Sequence, residues 1–270
     1  MKLRGKAVIV TGASSGIGRA TAQEFARAGS NVVLASRDQK ELEELAQELA
    51  GRPGRRLVVP VDVRDAQAVN AMVQRTVEEF GSVDVLVNNA AQGLDASVAE
   101  GKIENMRYVM DVNVFGAIYG VQAVVPHMKR QGSGCIVNVS SVESRIAVPF
   151  NGIYSATKAA LTAITDALRM ELEGTGIKVI NVYPGLTVTA FHKNTIREVE
   201  LPPRSRWLRG VPPSAAAKTI VQAVRREQRE AFVTLGDAVA VAIKNVSPRL
   251  VEWGIRRLWS PSKDRPEVES

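Results

Sequence analysis

The chain has 270 residues, 45% of them hydrophobic and 23% charged, with a formal net charge of +7 at pH 7. A chain of this length and composition is able to bury a full hydrophobic core. Its basic balance raises the question of nucleic-acid binding, but the sequence has no zinc-finger spacing, no aromatic-rich binding strand and no basic heptads, so we expect no nucleic-acid partner. No apolar run approaches the roughly 20 residues of a membrane span, and we expect a cytoplasmic protein.

Cysteine and histidine are too sparse for a disulfide or a metal site. Cys135 is the single cysteine, and His127 and His192 are the two histidines. Neither histidine is close in sequence to the cysteine or to a pair of carboxylates, so no metal-ligand cluster is predicted. We expect chemistry without a metal.

The N-terminal segment has the pattern of a strand, a glycine-rich turn and a helix. Residues 6–11 are apolar and β-branched, and a helical pattern runs on to residue 28. Glycines let the backbone approach a pyrophosphate closely, and the helix N-terminus offers unpaired N–H groups to the anion. The pattern predicts a dinucleotide site whose contacts are Gly12, Ser14, Ser15, Gly16, Ile17 and Gly18.

The end of the second predicted strand, residues 31–36, bears on the choice of cofactor. Ser36 is followed there by Arg37 and not by an acid. An acid at this point accepts a hydrogen bond from a free ribose 2′-hydroxyl, whereas an arginine pairs with a 2′-phosphate. The charge favours NADP, with Ser36 and Arg37 as contacts. The alternative is that Arg37 is a surface charge beside Asp38 at a helix start.

Strand and helix patterns continue to alternate, with strands at 56–61, 83–87, 135–139 and 177–182 and a helix at 65–80. This alternation predicts an α/β fold, a doubly wound parallel sheet of Rossmann type in a single domain. Residues that follow such strands meet at the carboxyl edge of the sheet, where ligands bind. Candidates at this edge, for which ordinary turn chemistry is the alternative, are Asp62, Val63, Asn89, Ala90, Ala91, Ser141, Pro184, Gly185, Thr187, Val188 and Thr189.

Two helices carry polar side chains suited to chemistry. A helix predicted at 103–130 holds Asn113 in its interior, an unfavourable position unless its side chain has a specific partner. Tyr154 and Lys158 are spaced i, i+4 and so project from one helix face. Because an adjacent ammonium stabilises a phenolate, this spacing predicts a lowered pKa that makes Tyr154 a usable proton donor. Taken alone, the pair fits a surface helix as well.

Together these motifs resemble the short-chain dehydrogenase/reductase family, in its compact single-domain branch, from about residue 5 to 235. Residues 11–18 match the family's glycine-rich loop, and residues 88–91 match its Asn-Asn-Ala-Gly motif, with Ala91 in place of glycine. The resemblance implies a catalytic tetrad of Asn113, Ser141, Tyr154 and Lys158. It also implies an NADP-dependent oxidoreductase that transfers a hydride between nicotinamide and a carbonyl compound or secondary alcohol.

In the roles implied by the resemblance, Tyr154 protonates the carbonyl oxygen and Ser141 hydrogen-bonds that oxygen. Lys158 lowers the pKa of Tyr154 and holds the nicotinamide ribose, and Asn113 holds a water that links Lys158 to solvent. Residues 184–189 line the nicotinamide. Homodimers or homotetramers that assemble through the long helices are common in the family.

Two other functions stay open. A catalytically idle NADP-sensing protein could use the same fold, although it would not need the tetrad. An epimerase or dehydratase of the family's extended branch is disfavoured by the three-residue gap between Gly12 and Gly16 and by the short chain after Thr189.

Residues 190–213 correspond to the family's substrate lid, within a catalytic domain of residues 1–235. The segment suits a bulky apolar substrate with basic groups at its mouth, or an ordinary loop with apolar anchors. Its apolar members are Phe191, Ile196, Val199, Leu201, Trp207 and Leu208, and its basic members are Arg204, Arg206 and Arg209.

A C-terminal extension, residues 236–270, carries a predicted amphipathic helix that begins at Pro248. Its apolar stripe is Leu250, Val251, Gly254, Ile255 and Leu258, flanked by Trp253 and Trp259, with basic charge from Arg249, Arg256 and Arg257. Such a helix packs on its own subunit or on a partner subunit, or lies in the headgroup region of an anionic membrane. The sequence leaves these alternatives open.

Overall fold

The computed structural model describes residues 1–201 and 210–258. The strands of this part of the chain are β1 (Ala7–Thr11), β2 (Asn31–Ser36), β3 (Arg56–Pro60), β4 (Val85–Asn88), β5 (Leu94–Asp95), β6 (Gly134–Val139), β7 (Ile177–Tyr183), β8 (Ile196–Arg197) and β9 (Glu230–Phe232). Its α-helices are α1 (Gly16–Arg27), α2 (Gln39–Glu48), α3 (Ala66–Phe80), α4 (Ile103–Met110), α5 (Gly116–Gln131), α6 (Gly152–Glu171), α7 (Pro213–Arg226), α8 (Leu235–Val246) and α9 (Pro248–Leu258).

Seven of the strands form one parallel sheet in the order β3-β2-β1-β4-β6-β7-β9. The chain runs outward from β1 through β2 to β3 and then returns to place β4 on the other side of β1. This reversal is a topological switch point, and in such sheets it opens a crevice at the carboxyl ends of the strands. The carboxyl ends of β1 and β4 therefore flank the natural ligand site.

The core has two layers, one on each face of the sheet. Apolar residues of α1, α2 and α7, among them Phe25, Leu42 and Ile220, pack on one face. Residues of α3, α5 and α6, among them Met72 and Val124, cover the other face. Because both faces are buried, the central strands are continuous apolar runs. The predicted doubly wound α/β fold in a single domain is confirmed.

The differences from the sequence prediction lie at element ends and in short elements. The fourth strand begins at Val85, two residues later than predicted, and Asp84 directly before it accepts hydrogen bonds from Lys6 Nζ and the Ala7 N–H. Strands β5, β8 and β9 and helix α8 were not predicted. The strands have three residues or fewer, whereas α8 begins after an N-cap threonine, Thr234, a start signal that could have indicated the helix.

The expectation of one unbroken α-helix over residues 103–130 is wrong at one turn. Residues Asp111–Phe115 between α4 and α5 form a π-helix. Such a bulge widens the helix by one residue and re-aims the side chain at its centre. That residue is Asn113, whose side chain is held by partners on two other segments.

The joined helix Ile103–Gln131 is long and apolar enough to cross a membrane, the one case among the described residues. Half of its most apolar window is buried in the fold, and a core helix of a globular domain has the same composition.

Two segments after the Tyr154 helix complete the sheet edge. In the predicted lid, β8 pairs with β5, and Val211 is tied to Leu186 and Val188 by backbone hydrogen bonds. Trp207, Leu208, Arg204, Arg206 and Arg209 of the lid, and Trp259 of the extension, lie outside the described residues. Helix α9 begins at Pro248 as predicted and packs mainly on α8.

Candidate active site

A cleft of about 1110 Å³ opens at the carboxyl edge of the sheet, at the switch point between β1 and β4. Nearly all of the residues predicted at this edge line it. They are Gly12, Ser14, Ser15, Gly16, Ile17, Ser36, Arg37, Asp62, Val63, Asn89, Ala90, Ala91, Ser141, Tyr154, Lys158, Pro184, Gly185, Thr187 and Thr189. The predicted residues that do not line the cleft are Gly18, Asn113 and Val188.

The glycine-rich turn leaves room for a ligand beside its backbone. Gly12 and Gly16 have φ angles of +66° and +54°, which favour glycine. Ser15 is the N-cap residue of α1, but its hydroxyl accepts no hydrogen bond from the first turn of the helix. The N–H groups of that turn are therefore available to a ligand in the cleft. Gly18 is needed for packing within the turn, because a Cβ there would lie 2.1 Å from the Gly12 carbonyl oxygen. This cradle fits a pyrophosphate.

Thr11 and Asn89 join the glycine-rich turn to the end of β4. The Thr11 hydroxyl accepts hydrogen bonds of 3.0 Å from the N–H groups of both Asn89 and Ala90. The Asn89 amide in turn donates to the Thr11 carbonyl at 2.9 Å. The two loops on either side of the switch point are therefore fixed to each other.

Arg37, the first residue after β2, lines one end of the cleft. Its guanidinium donates to the phenol oxygen of Tyr108 at 2.9 Å, and its charge contributes to holding the pKa of Asp62 below the usual range. The larger cause of that lowered pKa is the Arg64 guanidinium, which hydrogen-bonds Asp62 and lies over the Tyr108 ring. Asp38 is used instead as the N-cap of α2. Of these two arginines, Arg37 lines the cleft, whereas the charge of Arg64 is paired with Asp62.

Tyr154 and Lys158 line the opposite part of the cleft from the first turns of α6. Burial raises the pKa of Tyr154 above its usual value, nearby Glu143 adds to the rise, and a hydrogen bond with Ser141 opposes it. Burial lowers the pKa of Lys158 to about 8. The pKa of Tyr154 is raised and not lowered as predicted, because burial outweighs any stabilisation of the phenolate by Lys158, whose Nζ donates to the Val139 carbonyl at 2.9 Å.

Asn113 is buried one layer behind these side chains. Its amide nitrogen donates to the Thr157 hydroxyl at 2.9 Å and to the Gln92 carbonyl at 3.0 Å, and its oxygen accepts from the Gln92 N–H at 2.7 Å. Thr157 lies between Tyr154 and Lys158 on α6, so Asn113 ties that helix to the loop after β4. These contacts explain an asparagine in a helix interior.

Comparison with known proteins agrees with this geometry. The model of the short chain dehydrogenase family matches residues 6–200. The chain belongs to the short-chain dehydrogenase/reductase family. An uncharacterized oxidoreductase of Staphylococcus epidermidis is 37% identical over 194 residues, which are 72% of this chain and 83% of that protein. Dehydrogenase/reductase SDR family member 7B of Mus musculus is 34% identical over 258 residues, 92% of this chain and 79% of that protein.

Solved structures of similar dehydrogenases hold different nicotinamide cofactors. A short-chain dehydrogenase/reductase from Burkholderia phymatum in complex with NAD has a TM-score of 0.84 at 26% identity, covering 93% of this chain and 96% of that one. An alcohol dehydrogenase from Thermococcus sibiricus complexed with 5-hydroxy-NADP has a TM-score of 0.74 at 27% identity, covering 84% and 95%. The relatives support nicotinamide cofactors as a class.

Several residues of this short-chain dehydrogenase's cleft were not found from the sequence. Gln92 directly follows the 88–91 motif, and Glu143 lies two residues after Ser141, so both could have been predicted to line the cleft. Thr234, Asp237 and Ile255 come from β9 onward and line the same cleft. Their part in it depends on how α8 and α9 pack against the segment after β7, where Asp237 contacts Gly185, and no local pattern encodes that packing.

Proposed function

We propose that this dehydrogenase is an NADP(H)-dependent carbonyl reductase or alcohol dehydrogenase with Tyr154 as its acid/base. The observation that carries the proposal is that Ser141, Tyr154 and Lys158 all line one cleft. Ser141, just after β6, hydrogen-bonds Tyr154, and Lys158 lies one turn after Tyr154 on α6 with its Nζ 5.8 Å from the Tyr154 ring centre. A nicotinamide cofactor supplies or accepts the hydride when it is bound. The glycine-rich turn and the edge residues from Asn89 to Thr189 are the groups proposed to hold it.

The proposed proton donor has a protonation state suited to carbonyl reduction. With a pKa above its usual value, Tyr154 carries its proton at neutral pH. Ser141 hydrogen-bonds the same phenol and stands at the cleft, where its hydroxyl can turn to donate instead to a substrate oxygen as negative charge develops. A positive Lys158 favours the phenolate that remains after proton transfer. The residues thus bind the oxygen, deliver the proton and stabilise the resulting anion.

Proton resupply is proposed to run through Lys158. Its Nζ is held by the Val139 carbonyl, and its pKa of about 8 lies close to neutral pH, so it can gain and release a proton readily. Asn113 positions α6 through Thr157 and in this proposal also organises water behind Lys158. Its three hydrogen bonds make it a positioning residue.

The charge at Arg37 supports NADP over NAD. The guanidinium borders the cleft and donates to the Tyr108 hydroxyl, and Arg64 lies over the ring of the same tyrosine. Because Arg64 is paired with Asp62, Arg37 is the cation proposed to meet a 2′-phosphate, and Asp38, the acid that follows it, is used as the N-cap of α2.

The lining beyond Ser141 and Tyr154 supports an apolar substrate. Phe191 stacks obliquely on Tyr154, with ring centres 5.6 Å apart. Its apolar neighbours in the cleft are Val142, Ile146, Val148, Leu186, Val211 and Ile255. Such a wall favours ketones with hydrocarbon or aromatic substituents.

A further proposal concerns the assembly of subunits. Ile103 and Phe115 on the α4–α5 helix and Met170 at the end of α6 are 54%, 44% and 69% exposed, which supports a homodimer or homotetramer built through the long helices.

The C-terminal helices support peripheral contact with anionic lipid. Leu235, Val239, Ile243 and Val246 share a face of α8 and are 40–87% exposed, and Leu250 and Trp253 on α9 are more than half exposed. Arg257 lies over the Trp253 ring at 4.2 Å, and Arg249 and Arg256 are exposed on the same helix. Apolar side chains beside clustered arginines fit a lipid headgroup region, whereas Val251, Gly254 and Ile255 are half-buried against the fold.

A cofactor and substrate panel tests the proposed reaction. The full-length protein is mixed with NADPH or NADH and with aliphatic and aromatic ketones of increasing size, and cofactor oxidation is followed by absorbance. We expect turnover with NADPH, a higher kcat/KM for NADPH than for NADH, and a preference for the larger ketones. Tight NADPH binding without turnover of any carbonyl compound or alcohol would instead support the idle sensor.

A further inference from the structure

Among the described residues that line the cleft, Asp237 is the one whose carboxylate has a buried oxygen without a hydrogen-bond donor. Five acidic residues line the cleft, and four of them accept hydrogen bonds or ion pairs from neighbours. Asp38 accepts from the Glu41 N–H, Asp62 pairs with Arg64, Asp95 with Arg197, and Glu143 accepts from the Ser155 hydroxyl. The Oδ2 atom of Asp237 is shielded from water and has no hydrogen-bond partner among the described residues.

The backbone fixes this carboxylate against the end of β7. Asp237 is the third residue of α8, and its N–H donates to the Thr234 hydroxyl, which caps the helix, at 3.0 Å. A Cβ added to Gly185 would lie 2.2 Å from Oδ1 of Asp237 and 2.8 Å from Oδ2. The carboxylate therefore lies directly on the Gly185 backbone, in the part of the cleft that Pro184 and Leu186 also line.

Helix stability does not account for this position. An acid in the first turn of a helix is favourable because it faces the positive end of the helix dipole, but that benefit is available to an exposed side chain. Burying a carboxylate oxygen without a donor is unfavourable, and an apolar residue beside Ile255 and Leu186 would avoid that cost. An arrangement of this kind is stabilised when a bound molecule brings the missing N–H or O–H.

We infer that Asp237 is a specificity-determining residue that accepts a hydrogen bond from a hydroxyl or amine of the substrate, at a carbon remote from the reacting carbonyl. The inference rests on the proposed function and narrows its substrate class to apolar ketones that carry one donor group. The C-terminal extension thereby becomes part of the substrate site. A rotation of the carboxylate about its last bond exchanges its two oxygens, so either oxygen can receive the donor.

The nicotinamide carboxamide is the other source of an N–H donor in such a cleft, and the test separates the two. The probes are 2-nonanone and its monohydroxy derivatives, each with the hydroxyl on a different carbon beyond C3. The full-length enzyme, Asp237→Leu, Asp237→Asn and Asp237→Ala are compared with NADPH. Glu252→Gln, which removes an exposed acid of α9 that does not line the cleft, is the matched control.

The measured quantity is the ratio of kcat/KM for each hydroxyketone to that for 2-nonanone. We expect the wild type and Glu252→Gln to favour one hydroxyketone, and Asp237→Leu and Asp237→Ala to lower that ratio about tenfold or more, with Asp237→Asn between them. If no ketone is reduced, calorimetric binding of the same ketones to the NADPH complex measures the preference instead, so the test of Asp237 does not depend on turnover.

Three outcomes would overturn the inference: no preference among the hydroxyketones in the wild type, a preference that survives in Asp237→Leu, or a loss confined to NADPH affinity. The last would assign the carboxylate to the cofactor. Turnover of 2-nonanone by the wild type supports the proposed function whatever the variants do. A variant enters the comparison once its NADPH binding and thermal transition show that it is folded, and Asp237→Asn, nearly isosteric, keeps the test available.

Discussion

The Nζ atom of Lys158 lies 2.9 Å from the Val139 carbonyl oxygen and 5.8 Å from the centre of the Tyr154 ring. The lysine therefore reaches past the tyrosine to the end of β6, and the residue is only 2% exposed. Its charge is held near the phenol by one backbone hydrogen bond. Burial without a carboxylate partner lowers its pKa to about 8.

The first prediction concerns stability. Between pH 8 and the unfolded value of 10.5, the unfolded chain binds a proton at Lys158 that the native protein does not, so wild-type stability from this group rises with pH. Lys158→Met removes the buried charge. We expect it to be more stable than the wild type below pH 8 by roughly 2 kcal/mol, since about 3 kcal/mol from desolvation is offset by about 1 kcal/mol from the lost hydrogen bond.

Denaturant unfolding of both proteins at pH 7, 8, 9 and 10 measures the difference. The advantage of Lys158→Met is expected to shrink across this range. A difference in unfolding free energy that stays constant with pH would show that Lys158 keeps its ordinary pKa in the native protein.

The second prediction concerns the cofactor. Arg37→Asp replaces a partner of the proposed 2′-phosphate with a repelling charge, and we expect the Kd of NADPH to rise about a hundredfold while that of NADH changes little or falls. Arg52→Asp, an exposed charge change outside the cleft, is the control. Fluorescence titration gives both constants. Equal losses for NADPH and NADH would mean that Arg37 does not face the 2′-phosphate.

The third prediction concerns the membrane. Vesicles with anionic lipid should float the full-length protein at low salt, and high salt should release it, because the contact combines apolar burial with screened charge. Arg256→Glu with Arg257→Glu should abolish flotation, as should Ile243→Glu with Val246→Glu.

Arg225→Glu with Arg226→Glu, two exposed basic residues of α7, should float as the wild type does. Light scattering is measured in parallel. If the wild type never floats, and the α8 variant instead changes the mass of the oligomer, the exposed face of α8 contacts another subunit.

Much of the site could be predicted because each parallel strand delivers the residues after it to one edge. Ser141 and Asn89 could be placed at the cleft in this way from the order of strands and helices alone. Asn113 could be singled out as an odd helix residue, but its π-helical turn depends on partners in Gln92 and Thr157 that come from other elements.

The C-terminal part of the site could not be predicted from the sequence, for a different reason. Val188, predicted as a contact, is 67% exposed because its backbone pairs with Val211 and turns the side chain outward. Asp237 and Ile255 line the cleft because α8 and α9 return to the segment after β7, where Asp237 contacts Gly185. Their positions depend on packing between distant segments, which amphipathic periodicity does not specify.

The most direct test of the account is the kinetics of Tyr154→Phe. The substitution keeps the ring beside Phe191 and removes the one hydroxyl proposed to protonate the substrate. We predict that kcat falls roughly 10²–10⁴-fold with the best ketone while NADPH affinity is retained. Turnover that remains close to the wild-type rate, with NADPH binding intact, would contradict the proposed mechanism.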